Sequence, residues 1–72
     1  MASLEITLPV LNEEKVLSGT VEQLRDFAHK HLSQHQCRIN IVDNGSTDGT
    51  LAIAKDLSRI YPAQVSYLHL GI

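Results

Sequence analysis

The hydrophobic period of this 72-residue chain switches back and forth between that of a strand and that of a helix, and few folds accommodate such a pattern. "LEITLPV" sets Leu4, Ile6, Leu8 and Val10 on one side against Glu5 and Thr7 on the other, as a strand with one buried face does. In "NEEKVLSGTVEQLRDFAHKHL" the apolar positions Leu17, Val21, Leu24, Ala28 and Leu32 fall on one helical stripe. Asn12 is placed to cap that helix, and Glu13 and Glu14 suit the positive end of its dipole. Gly19 weakens the helix interior by ~1 kcal/mol without abolishing it. "CRINIVD" reads as a second strand, with Ile39 and Ile41 on one side. Ile53, Ala54, Leu57, Ile60 and Tyr61 make a second helical stripe that Pro62 stops. "VSYLHL" completes the series as a third strand.

Strand, helix, strand, helix, strand is a βαβαβ pattern, so the expected class is α/β with a three-stranded parallel sheet. Right-handed crossovers that step in one direction give the order 3-2-1 and put both helices on one face. That is half of a Rossmann-like, doubly wound sheet. Parallel sheets are normally covered on both faces. Here Glu5, Thr7, Arg38 and Asn40 make the second face polar, but Val42 and one side of "VSYLHL" still call for cover. The expectation is that residues 1–72 form the first part of a larger domain, with self-association through the bare face as another way to cover it. A chain of this size buries only about 60% of its unfolded surface.

Composition narrows the partners. A net charge of −2 is too mild to point to nucleic acid or to an anionic membrane surface. The single cysteine, Cys37, rules out an internal disulfide framework, fits a reducing compartment and reads as a small buried residue. No apolar run approaches the ~20 residues of a membrane-spanning helix, and "MASLEITLPV" lacks the features of a signal peptide. The expected place is the cytoplasm, or the cytoplasmic face of a membrane for a larger parent protein.

Ligands of open α/β sheets bind beyond the carboxyl ends of the strands. "PVLNEE" follows the first strand and "IVDNGSTDGT" ends the second, so two polar clusters share one rim. A dinucleotide needs glycines at the first turn, where Glu13 and Glu14 would instead repel a pyrophosphate. A Walker-type phosphate loop needs a lysine, which "GSTDGT" lacks. Carboxylates at a strand rim suit hydrogen-bond donors: a ribose hydroxyl, the ring N–H of uracil, or the N–H edge of guanine. Asp43 caps nothing upstream, which favours a ligand role. Ser46 and Asp48 also read as caps of the second helix, and Gly45 and Gly49 as residues that permit the turn. Of His29, His31 and His35, the last two are spaced as a metal pair, but they lack acidic or cysteine partners and read as a solvated helix end. His69 reads as an ordinary strand residue.

The two rim motifs, in this order and spacing, resemble the family 2 glycosyltransferases of the GT-A fold, including the polyprenyl-phosphate mannosyl- and glucosyltransferases. The usual forms there are Pro-x-Tyr-Asn-Glu and Val-Asp-Asp-Gly-Ser-x-Asp-x-Thr. The resemblance implies transfer of a sugar from a UDP- or GDP-sugar to an acceptor such as a lipid phosphate, with a divalent metal (Mg or Mn) bridging the diphosphate. It implies that Pro9 and Leu11 line the base pocket, that Glu13 reaches the nucleoside, and that Asp43 and Asn44 read the base edge or ribose. Asn12, Gly45, Ser46 and Asp48 would shape and cap the turns. Leu11 stands where an aromatic is common, and Asn44 where a second aspartate is common. The family's Asp-x-Asp metal motif, general base and acceptor site match nothing in these residues, so no catalytic residue and no metal ligand is expected here. The chain alone should then be inactive. Two other readings stay open: a non-catalytic nucleotide-binding or interaction module of half-Rossmann shape, and a different α/β enzyme.

Overall fold

The computed structural model describes residues 3–71; the ends of the 1–72 unit, residues 1, 2 and 72, lie outside it. Its elements are β1 (Ser3–Val10), α1 (Leu17–His31), β2 (Gln36–Asp43), α2 (Thr50–Ile60) and β3 (Val65–His69). The three strands form one parallel sheet with β2 in the middle. This is the expected βαβαβ half of a Rossmann-like fold, with the strand order read from the sequence.

Both helices cover the same sheet face. Val10, Ile39, Ile41 and Val65 from the strands meet Leu17, Val21, Ala54 and Leu57 from the helices in one buried cluster. The opposite face shows Glu5, Thr7, Pro9, Arg38 and Leu68 to solvent, with the Ser66 hydroxyl 3.1 Å from Asn40 Oδ1 across neighbouring strands. Burial is graded along β1: Leu4 is exposed, Ile6 and Leu8 are half-buried, and Val10 is buried. The core therefore sits toward the carboxyl ends of the strands. That end needs rigid support if a site is built there.

The gradient corrects the reading of Cys37 as buried. It is half-buried, because β3 joins the sheet only at the Ile39–Val65 pair. At the level of Cys37 and its register partner Leu4 the sheet has two strands. Ile60 is also off the core, 55% exposed. At 100° per residue it lies about 120° round the helix from Ala54, at the margin of the stripe.

Helix α1 starts later than its composition predicts. Asn12, with φ 52°, does not cap it; Val16 occupies the N-cap position, and no side chain bonds there. Glu13 and Glu14 lie outside the first turn, which holds no acidic residue. The Glu13 carbonyl instead accepts from the N–H groups of Val16 and Leu17 in a turn that leads into the helix. The other end follows expectation, since His29, Lys30 and His31 fill the last turn, at the negative end of the dipole.

Candidate functional site

Residues Val10, Asp43 and His69 form one lateral row across the three strands, at the sheet's carboxyl end. The row is tied by the main chain: Asn44 N–H donates to the Val10 carbonyl at 3.0 Å, and Leu70 N–H to the Asp43 carbonyl at 2.8 Å. The loop after β1 and the loop after β2 rise from this row and clasp each other.

The clasp accounts for most of the polar residues of both motifs. Asn12 N–H donates to Ser46 Oγ at 2.9 Å, and Thr47 N–H returns a bond to Asn12 Oδ1 at 2.9 Å. Glu13 N–H donates to Thr50 Oγ1 at 2.7 Å, and Glu14 N–H reaches Asp48 Oδ2 at 3.4 Å. Gly49 N–H donates to Glu14 Oε2 at 3.3 Å. A Cβ at Gly49 would stand 2.7 Å from that oxygen, so glycine is what permits the approach. Gly45, with φ 82°, supplies the left-handed turn itself.

Asn12 thus ties the two loops together instead of starting a helix. Ser46 likewise serves the clasp and not the α2 end. Asp48 does act at α2: its Oδ1 accepts both the backbone N–H and the hydroxyl of Thr50, the first residue of the helix. The Thr50 hydroxyl bond holds the Asp48 carboxyl below its ordinary value, against a weaker opposing push from desolvation. With Asp48 and Glu14 both there, the N-terminus of α2 already carries carboxylates and disfavours a phosphate.

Asp43 is fully buried. Its Oδ1 accepts from Ser46 N–H at 3.3 Å, and its Oδ2 lies 2.7 Å from His69 Nδ1. Burial pushes the carboxyl up, but the hydrogen bonds from Ser46 and His69 outweigh it and leave the pKa lowered. Sequence reasoning passed over His69. Its parity with Val65 was readable in the sequence, but its place beside Asp43 comes only from the register between β2 and β3.

The remaining candidates line up less tightly. Pro9 and Glu13 border one shallow groove with Val16 and Thr20, while Leu11 is 54% exposed at the rim and Asn44 is half-buried. Side chains of His29, His31 and His35 are exposed. Among the described residues no group of three His, Cys, Asp or Glu side chains could hold a metal ion. No helix among them is long and apolar enough to cross a membrane.

Thr50 was also missed, although it is the fully buried hinge of the clasp. Thr50→Val keeps the shape and removes the hydroxyl, so Glu13 N–H loses its acceptor and Asp48 a donor. We expect a loss of about 0.5–1.5 kcal/mol in a urea melt, the net worth of a hydrogen bond between part-buried groups. A melt unchanged from wild type would show that the clasp does not hold the loops.

A parallel sheet with helices on one face, and two interlocked polar loops over its carboxyl rim, defines the chain as a Rossmann-like α/β unit. The model of glycosyl transferase family 2 matches residues 5–72. The chain belongs to that family, whose members transfer sugars from a donor to an acceptor. Neither a curated protein nor a solved structure matches it significantly.

Proposed function

We propose that this segment is the nucleoside-recognising first part of a GT-A glycosyltransferase that takes its sugar from a UDP- or GDP-sugar. The acceptor class we assign is a polyprenyl or other lipid phosphate, met at the cytoplasmic face of a membrane. One observation carries the reading. The polar groups converge on the strands' carboxyl ends around a buried, ionised Asp43, whereas the nearby helix N-terminus is filled by the chain's own carboxylates. A rim of that kind favours the hydrogen-bond donors of a base or ribose over the anionic diphosphate.

Asn44 then serves the base edge or ribose at the rim, with the buried Asp43 ordering it from beneath, Pro9 and Leu11 flank the base, and Glu13 reaches toward the nucleoside. Leu11 gives apolar contact without the stacking of an aromatic ring. A divalent metal, Mg or Mn, would neutralise the diphosphate. The described residues assemble no ligand set for it, so its ligands are assigned to the remainder of the domain. The bare sheet face, with Leu68 51% exposed, is where that remainder or a second copy packs.

Calorimetric titration of the intact protein with UDP and GDP, in the presence of Mg or Mn, tests the reading. Binding of one of them is expected, and binding of neither would overturn it. The 72-residue chain alone should show no sugar transfer from any nucleotide sugar; turnover above a heat-killed control would refute the assignment of the catalytic groups elsewhere.

A further inference from the structure

We propose that His69 is the residue that meets the nucleobase, its Nε2 accepting the base N–H, and that Asp43 is the buried carboxylate that positions it. The proposal rests on the nucleoside-rim reading above and assigns its central contact to a different side chain. Asp43 presents no surface, and both its oxygens are engaged, one by Ser46 N–H and one by His69. A base edge cannot reach that carboxylate in this arrangement. His69 stands beside it in the same lateral row, and its side chain is 41% exposed.

The chemistry of the pair fixes what the ring shows to the outside. An ionised carboxylate only accepts hydrogen bonds, so the 2.7 Å contact requires the hydrogen on Nδ1. In the neutral ring Nε2 is then an acceptor, oriented by the carboxylate behind it, as in carboxylate–histidine pairs at metal sites. A Cβ at Gly71 would come 3.8 Å from Nε2; as glycine, it leaves that flank of the nitrogen clear of a side chain. An acceptor at this place fits the ring N–H of uracil or guanine. It does not fit cytosine, whose corresponding ring nitrogen is itself an acceptor.

The test compares variants and probes on the intact protein, with a thermal melt beside each titration. His69→Ala should weaken UDP or GDP, whichever the protein binds, by about five- to tenfold, the effect of losing one hydrogen bond. His69→Gln, which can place an amide oxygen near the position of Nε2, should restore most of that loss. The nucleotide methylated at the ring N–H should bind wild type as weakly as the unmodified nucleotide binds His69→Ala, and should be indifferent to that substitution. Imidazole nitrogen NMR should show hydrogen on Nδ1, and an Nε2 resonance that moves when nucleotide is added. In Asp43→Asn that tautomer preference should weaken. If wild type binds nucleotide but His69→Ala binds it equally or more tightly, His69 is a plug or a bystander and the proposal fails alone. It also fails if His69→Gln is no better than His69→Ala, or if the methylated nucleotide binds wild type undiminished. The last measurement needs no variant and decides the matter even if His69→Ala is unfolded. Absence of any wild-type binding removes the nucleoside-rim reading and this proposal together.

Discussion

Asp43→Ala should lower nucleotide affinity of the intact protein roughly 10- to 150-fold, the equivalent of a charge-assisted contact of about 1.5–3 kcal/mol. With the carboxylate acting through His69, the loss should fall at the low end of that range, near that of His69→Ala, and any excess reports the loss of the anion that also organises Ser46 N–H. Asp43→Asn should fall between wild type and alanine, since its amide oxygen still accepts but carries no charge. Asp48→Ala is the control. Its bonds go to Thr50 and Glu14 at the mouth of α2, so it should cost stability and little affinity. Calorimetric titrations of UDP and GDP beside thermal melts separate the two effects. If Asp43→Ala binds like wild type while Asp48→Ala loses binding without losing stability, the ligand lies at the helix mouth.

The same carboxylates set the acid behaviour of the fold. Asp43 and Asp48 both have folded pKa values below their ordinary 3.8. A lowered carboxyl pKa means that the unfolded chain binds the proton more tightly, so protonation favours unfolding. The stability these groups contribute is fully present above the ordinary value and is lost as pH falls through the lower folded values. Melting temperatures should therefore drop on acidification below about pH 4, and less steeply in Asp43→Asn than in wild type.

The architecture was legible because its signal is local. Three strands and two helical stripes needed only neighbouring residues, and the observed order, with both helices on one face, follows from them. What was not legible depends on partners far along the chain. Asn12 followed by two glutamates has the composition of a helix start, yet its partners Ser46 and Thr47 lie 34 and 35 residues away. Those bonds hold residue 12 in a left-handed conformation and delay the helix until Leu17. Cys37 was misjudged for a related reason, since its burial depends on where a third strand begins. His69 was passed over because its meaning comes only from the register between β2 and β3. At the rim, then, residue types were readable, while the pairing of Asp43 with His69 and of Glu14 with Gly49 required the fold.

The other large effect belongs to the core. Ile41 is fully buried on the central strand and packs in the cluster that joins both helices to the sheet. Truncating such a side chain costs about 2–5 kcal/mol, in lost burial and in the cavity left behind. A sheet covered on one face by two helices has little stability to spare at this size, so Ile41→Ala in the isolated chain should abolish the folded signal in far-ultraviolet circular dichroism at 25 °C. Ile60→Ala is the matched control: 55% exposed at the edge of the α2 stripe, it should change the unfolding free energy from a urea melt by less than about 0.5 kcal/mol. If the proposed remainder of the domain covers the second sheet face, Ile41→Ala in the intact protein should fold but melt earlier. Ile41 stands two residues before Asp43 on the same side of β2, so its loss reaches the rim only through the strand. Nucleotide affinity should then decline only in proportion to the unfolded fraction, and near-saturating nucleotide should restore part of the lost melting temperature by mass action. If Ile41→Ala and Ile60→Ala move the urea midpoint equally, the core does not centre on this face. If Ile41→Ala weakens binding of the folded protein as much as Asp43→Ala does, the rim is not held independently of the packing beneath it.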